Sequence, residues 1–185
     1  MPQRDVVVIV GSLRRRSYTR RCALALMALA PESLKPGLVE IGDLPLYNQD
    51  LDPDSPAPAW VAFRDQVRPR DAVLFVTPEY NRSVPGVLKN AIDVGSRPYG
   101  QSVWSKKPAA IVSVSPGAIG GFGANHHLRQ SLVFLDMPVL QQPEAYIAQA
   151  NTLFGEAGEV NNEATKTFLI GFMAAFADFI ERVKA

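Results

Sequence analysis

The chain has 185 residues, of which 47% are hydrophobic and 20% charged, and its 19 Lys and Arg against 18 Asp and Glu give a formal net charge of +1. This composition excludes extensive disorder and predicts a single domain over residues 1–185. The balanced charge argues against nucleic acid or a membrane surface as a partner. The single cysteine, Cys22, excludes an intrachain disulfide and a cysteine metal cluster. We expect a cytoplasmic protein without a metal site.

Strands and helices are predicted to alternate along the chain. Continuous apolar runs rich in β-branched residues, and two weaker runs, predict five strands. These are expected at Val6–Val10, Leu38–Ile41, Ala72–Val76, Ala109–Val114 and Met137–Leu140. Apolar residues at helical spacing predict helices between and after them. These are expected over Ser17–Ala30, Ala59–Val67, Val84–Val94, around Leu128–Leu135, and over Val160–Val183.

Two further segments of the sequence are distinctive: a Pro-rich stretch and the last predicted helix. The Pro-rich segment Leu51–Pro58 is predicted to be a surface loop. The last helix has the clearest periodicity, with an expected apolar face of Val160, Ala164, Phe168, Phe172, Phe176, Phe179 and Val183.

The alternation predicts an α/β fold with an open, five-stranded parallel sheet and helices on both faces. Ligands of such sheets bind beyond the carboxyl ends of the strands. The loops that follow the three strongest strands are therefore the places to look for a functional site.

The first loop, Gly11–Thr19, has the composition of a phosphate-binding turn. It combines a glycine, three hydroxyl side chains (Ser12, Ser17 and Thr19) and arginines in front of a predicted helix. Free backbone amides and the dipole at a helix N-terminus both favour an anion. The loop matches neither the Walker nor the GxGxxG pattern, so a monophosphate fits it better than a dinucleotide. The alternative is an ordinary helix cap by Ser17 with solvated arginines.

The second loop, Thr77–Asn81, has groups that suit a flat heteroaromatic ring. Glu79 and Asn81 offer hydrogen-bond partners for the ring edge, and Tyr80 offers an aromatic wall. The third loop, Ser113–Gly123, contains four glycines, which allow the backbone to approach a ligand closely. Taken singly, the second loop could be a structural turn and the third a flexible connection.

Together these segments resemble the NADPH-dependent FMN reductase family, and within it the bacterial chromate and quinone reductase branch. The resemblance runs from about residue 6 to residue 183. It rests on Gly11-Ser-Leu-Arg-x-x-Ser17, Thr77-Pro-Glu-Tyr-Asn81, the segment Ser83–Asp93 and the segment His127–Asp136.

The resemblance implies a flavodoxin-like fold, non-covalently bound FMN and NADPH or NADH as electron donor. It implies a homo-oligomer, dimer or tetramer, that reduces quinones, flavins, azo dyes or chromate by ping-pong hydride transfer. The cofactor carries the chemistry, so no catalytic acid or nucleophile of the protein is implied.

The resemblance also assigns site residues. Ser12, Arg14, Ser17, Tyr18 and Thr19 would hold the FMN phosphate. Pro78, Glu79, Tyr80 and Asn81 would line the isoalloxazine ring, and Ser115 and Gly117 would close its far side.

The sequence departs from the family pattern at a few positions. Thr19 stands where the family usually has Asn, and a hydroxyl can still donate to phosphate. In relatives that form tetramers an Arg and a Tyr join two dimers; Gly123 and His126 occupy those positions here, and Glu144 matches their acidic partner.

Two other functions compete with this one. A hydrolase is disfavoured because Pro116 follows Ser115 and has no N–H to donate to an oxyanion. A flavodoxin-like electron carrier or FMN-binding module, without direct NAD(P)H activity, is the main alternative. Flavodoxins are typically strongly acidic, whereas this chain has a net charge of +1.

Overall fold

The computed structural model describes residues 3–52 and 54–185. Its five strands form one parallel sheet in the spatial order β2-β1-β3-β4-β5. The strands are β1 (Arg4–Val10), β2 (Leu34–Leu38), β3 (Ala72–Thr77), β4 (Ala109–Val114) and β5 (Ala145–Ile147). The helices are α1 (Tyr18–Ala28), α2 (Pro58–Val67), α3 (Gly86–Gly95), α4 (Phe122–Phe134), α5 (Ala150–Leu153) and α6 (Glu163–Lys184). The predicted α/β fold with a five-stranded parallel sheet is confirmed, and its strand order is the flavodoxin-like one.

The sheet is buried on both faces, which explains why its strands are continuously apolar. Alternate residues of β1 point to opposite sides. Val6 and Val8 join the core beneath α1 and α6, whereas Val7 and Ile9 join the core beneath α2, α3 and α4. All four side chains are essentially inaccessible to solvent.

Two of the five predicted strands were wrongly located. The second strand is Leu34–Leu38, not Leu38–Ile41. Pro36 and Gly37 interrupt its apolar pattern in the sequence. They are tolerated because β2 is an edge strand with one side unpaired. The last strand is Ala145–Ile147, not Met137–Leu140. The predicted run meets β4 only at a bridge between Val139 and Ala109 before the chain leaves the sheet.

The five predicted helices occur close to their expected positions, the short α5 was not predicted, and the apolar face of α6 is shifted. Phe172 and Phe176 are buried as expected, whereas Ala164 and Phe168 are exposed. Leu169, Met173 and Ile180 complete the buried face instead. From Val160 to Phe176 the predicted face took every fourth residue, and that spacing drifts around a helix with 3.6 residues per turn.

The Leu51–Pro58 segment includes Pro53, which lies outside the described residues. A short 3₁₀ helix over Gln49–Leu51 ends at the first residue of the segment. Pro58, the last residue of the segment, is the first residue of α2. Among the described residues, no helix combines the length and the apolar character that crossing a bilayer demands.

A buried ion pair fastens this segment to α2. The Arg64 guanidinium donates two hydrogen bonds of 2.8 Å to the carboxylate of Asp52 and a third, of 2.9 Å, to the carbonyl of Val94. Asp52 is 4% exposed and also accepts from the Tyr47 hydroxyl at 3.0 Å. The hydrogen bonds from Arg64 outweigh the effect of burial and, with the one from Tyr47, lower the pKa of Asp52.

Asp52→Asn should therefore destabilise the fold at neutral pH. Removing one partner of a buried pair leaves an uncompensated charge and costs about 3–5 kcal/mol. Because the folded-state pKa of Asp52 is lowered, its contribution is present above the unfolded value of about 3.9 and is lost as pH falls through the folded pKa. Urea unfolding at pH 7 and below pH 4 measures this, and the gap between wild type and variant should narrow at low pH. The control is Asp65→Asn, which changes an exposed carboxylate on α2, next to Arg64, and should have little effect at either pH.

Candidate functional site

The three loops meet at the carboxyl edge of the sheet, as expected for loops that follow strands of one parallel sheet. β1 and β3 are neighbours, and so are β3 and β4. The amide of Gly11 donates to the carbonyl of Val76 at 2.9 Å, so the first loop begins against the end of β3. A Cβ atom at Gly11 would lie 3.0 Å from Oγ1 of Thr77, and this close approach explains the glycine.

The first loop presents donors that the rest of the described structure does not use. Backbone amides of Leu13, Arg15 and Arg16 donate no hydrogen bond within residues 3–52 and 54–185. The side chains of Ser12, Ser17 and Thr19 are held at this edge with 9%, 2% and 3% exposure. Unused amides beside buried hydroxyls at a helix N-terminus form a cradle that suits a phosphate group.

Ser17 is the N-cap of α1. Its hydroxyl oxygen accepts from the amide of Arg20 at 3.2 Å. This satisfies one unpaired amide of the first helical turn and leaves the hydroxyl proton available to donate. The cap and the phosphate contact therefore do not compete for the same hydrogen.

The second loop ends in a rigid tight turn. The amide of Tyr80 donates to the carbonyl of Ser83 at 3.0 Å, and the amide of Ser83 donates back to Tyr80 at 2.9 Å. The two residues between them, Asn81 and Arg82, have φ values of 51° and 64°. This left-handed pair defines a type I′ geometry, in which Arg82 stands where glycine is usual. The turn leaves the ring of Tyr80 50% exposed at the edge of the site.

The side chain of Glu79 points toward α4 and away from Tyr80. Its carboxylate accepts from the amide of Ala124 at 3.1 Å and from Arg82 at 3.2 Å, and the side chain is 13% exposed. A carboxylate in the first turn of a helix interacts favourably with the helix dipole. In this structure the Glu79 side chain thus anchors the second loop to the helix that follows the third loop.

The third loop is shaped by its glycines and by Ser115. The hydroxyl of Ser115 accepts from the amide of Gly117 at 3.0 Å, which folds the start of the loop. Gly120 and Gly121 have φ values of 64° and 77°, and a Cβ at Gly120 would collide with the backbone of Tyr146 at 2.7 Å. Gly117 itself is exposed, and its carbonyl accepts from the amides of Gln149 at 3.4 Å and Gly120 at 3.5 Å.

Two contacts of α4 could not be expected from the sequence. Nδ1 of His127 lies 3.0 Å from the hydroxyl of Ser83 and supports the turn of the second loop. Nε2 of His126 lies 3.0 Å from the hydroxyl of Tyr146, and the centroid of its ring lies 4.2 Å from that of Phe122. Within this chain Tyr146, rather than Glu144, is the direct partner of His126. Burial and a hydrogen bond with Glu144 raise the pKa of Tyr146 to about 12.

No group of three or more His, Cys, Asp or Glu side chains in the described part of the chain could hold a metal ion. Cys22 is buried on α1, where burial strongly raises the pKa of its thiol and makes it unreactive. The groups that the loops do present are amides, hydroxyls, arginines and one exposed tyrosine.

A flavodoxin-like sheet with an anion cradle at its β1/β3 switch point defines a class of α/β proteins that bind nucleotide-like cofactors. The model of the family described as NADPH-dependent FMN reductase matches residues 4–152. The chain belongs to this family of oxidoreductases.

Individual relatives are similar over nearly the whole chain. A quinone reductase of Pseudomonas putida is 63% identical over 181 residues, covering 98% of this chain and 97% of the relative. A 2-hydroxy-1,4-benzoquinone reductase of a Burkholderia species is 47% identical over 95% of each chain. The structure of FerB, a flavoenzyme NAD(P)H:(acceptor) oxidoreductase of Paracoccus denitrificans, superposes with a TM-score of 0.89 at 45% identity, covering 97% of this chain and 98% of that one.

Ser17→Ala tests the first loop. Loss of the cap should lower the free energy of unfolding by about 1 kcal/mol. Loss of a hydroxyl donor to a charged oxygen should weaken FMN about 10- to 100-fold. Riboflavin, which has no phosphate, should bind both proteins alike. Asn162→Ala, which removes the N-cap of α6, is the control and should lower stability without affecting FMN. Equal weakening of FMN and riboflavin would mean that Ser17 serves only as a cap.

Glu79→Gln tests the anchor of the second loop. The amide side chain can still accept from Ala124 but loses the charge, so stability should fall by about 1 kcal/mol while FMN affinity changes little. Glu79→Ala removes the acceptor as well, and FMN and riboflavin should then weaken together. Thermal unfolding and fluorescence titration measure the two effects. A large loss of FMN affinity in Glu79→Gln without a loss of stability would show that the carboxylate contacts the ring directly.

Proposed function

We propose that this protein is an FMN-dependent NAD(P)H:quinone oxidoreductase, built as a single FMN-binding domain over residues 1–185. The observation that carries the proposal is the cradle of unused amides and buried hydroxyls in the first loop, which begins with a hydrogen bond from the Gly11 amide to the carbonyl of Val76, directly before the second loop. A phosphate held in this cradle would lie beside the second and third loops, at the same edge of the sheet. The relatives described as quinone reductases and the structure described as a flavoenzyme support the same function.

The proposed residue roles follow from this arrangement. Backbone amides of the first loop, with Ser12, Arg14, Ser17, Tyr18 and Thr19, would hold the FMN phosphate. Pro78, Tyr80, Asn81 and the backbone of Glu79 would line one side of the ring, and Ser115 and Gly117 the other. The described residues fit FMN because unused donors cluster in the first loop, next to a second loop that exposes the side chain of Tyr80.

Bound FMN would supply the redox chemistry, accepting a hydride from NADPH or NADH and passing two electrons to the acceptor. The protein's own task is to bind and orient. The half-exposed ring of Tyr80 offers an aromatic wall to the nicotinamide and, in turn, to the acceptor. Ile119 and Phe122, 54% and 47% exposed at the same edge, make the entrance apolar. An apolar, aromatic entrance favours a quinone over a small charged acceptor such as chromate; free flavins and azo dyes would also fit it.

We also propose a homo-oligomer, dimer or tetramer, in the cytoplasm. Val133 and Phe134 on α4 are 74% and 83% exposed, an apolar surface that a second copy would cover. The single, unpaired Cys22 suits a reducing compartment.

Anaerobic stopped-flow absorbance of the FMN-loaded protein tests the proposed function. NADPH or NADH alone should bleach the visible flavin band, and a following pulse of 1,4-benzoquinone should restore it. Both half-reactions should occur without another protein. If neither nicotinamide reduces the flavin and a partner reductase is needed, the protein is an electron carrier and the proposal is wrong.

A further inference from the structure

A second, strongly basic cavity adjoins the first loop. Its volume is about 250 Å³, it lies along the exposed side of α1, and Leu24 and Glu156 are also among its lining residues. Four arginines line it: Arg15, Arg16, Arg20 and Arg21. Among the side chains proposed to hold the FMN phosphate it includes only that of Ser17; Arg15 and Arg16 contribute their backbone amides to the phosphate cradle and their side chains to this cavity.

The charge in this region exceeds what the FMN phosphate requires. Five arginines and no acidic residue occur between Gly11 and Leu24. Two of the five are paired: Arg20 binds both carboxylate oxygens of Glu40, at 2.7 and 3.2 Å, and Arg21 lies 3.5 Å from Glu156. Within the described ranges Arg14, Arg15 and Arg16 form no ion pair. One of these, Arg14, belongs to the proposed FMN site, which leaves two cations facing the cavity.

The paired arginines give the cavity a fixed wall. The bidentate contact with Glu40 orients the guanidinium of Arg20. Arg21 is held by the carbonyl of Phe154 at 3.3 Å and by the ring of Tyr18, whose centroid lies 5.6 Å from its guanidinium carbon. The unpaired arginines, Arg15 and Arg16, are exposed and able to turn toward a ligand. Such an arrangement suits a second phosphate monoester, because guanidinium groups bind phosphate in bidentate fashion.

We propose that this arginine cavity, built from Arg15, Arg16, Arg20 and Arg21, binds the 2′-phosphate of NADPH and makes NADPH the preferred electron donor. The inference rests on the proposed function, in which the nicotinamide reaches the ring between the second and third loops. The arginine cavity adjoins the first loop at Ser17, so we place the adenosine end of the dinucleotide there, and its 2′-phosphate is the group that distinguishes NADPH from NADH. Arginine near the adenosine ribose is the established means of accepting that phosphate.

The test compares the double variant Arg15→Gln/Arg16→Gln with the wild type, both loaded with FMN and held at constant ionic strength. Binding of 2′,5′-ADP and of 5′-AMP is measured by calorimetry, which requires no turnover. The wild type should bind 2′,5′-ADP more tightly than 5′-AMP. The variant should lose about 10- to 100-fold in affinity for 2′,5′-ADP and little for 5′-AMP. Its kcat/KM for NADPH should fall by a similar factor, with that for NADH nearly unchanged.

The control variant removes the same amount of charge elsewhere. Arg68 and Arg182 are exposed and lie at the C-terminal ends of α2 and α6, remote from the first loop. Arg68→Gln/Arg182→Gln should leave the affinity for both nucleotides unchanged. Retained FMN absorbance in all proteins establishes that the FMN site is intact.

The possible results separate this inference from the proposed function. Equal loss for 2′,5′-ADP and 5′-AMP, or no loss for either, would overturn the assignment of the arginine cavity. Selective loss of 2′,5′-ADP binding in a protein whose flavin is not reduced by NADPH would support the phosphate site and contradict the reductase function.

Discussion

The hydrogen bond between the Ala124 amide and the Glu79 carboxylate joins two loops that belong to neighbouring strands. It adds to the turn that closes the second loop and to the hydrogen bond from the Ser115 amide to the carbonyl of Ile147, which holds the third loop against β5. The bond is 3.1 Å long, nearly shielded from solvent, and placed where the dipole of α4 strengthens it. The contact between His127 and Ser83 supports the same junction from the next turn of the helix. The candidate ring site depends on this connection because its two sides come from different loops.

The strongest elements of the fold could be predicted because a parallel sheet covered on both faces leaves an unmistakable pattern. The residues of β1, β3 and β4 are apolar at every position from Val6 to Val10, from Ala72 to Val76 and from Ala109 to Val112. The weak strands carry no such pattern. β2 is an edge strand interrupted by Pro36 and Gly37, and β5 is only three residues long. Their positions are determined by pairing with β1 and β4, which is a property of the tertiary structure.

The meeting of the three loops at one sheet edge followed from the sequence, whereas the contact of Glu79 did not. The structure places the first and second loops side by side at Gly11 and Thr77. Ser17 was expected to hold a phosphate or, as the alternative, to cap a helix, and in the folded chain it is the N-cap of α1. Glu79 was expected to serve a ligand, and its side chain holds the N-terminus of α4. The contact of Glu79 depends on the direction of a side chain across the sheet edge, and local sequence does not encode that direction.

A crystal structure of the protein with FMN bound would show where the ligand lies. We expect the phosphate among the amides of the first loop and the hydroxyls of Ser12, Ser17 and Thr19. We expect the ring between the second and third loops, with the Glu79 carboxylate still on the amide of Ala124. Electron density for the phosphate outside the first loop, or a Glu79 side chain turned from α4 onto the flavin ring, would contradict this placement.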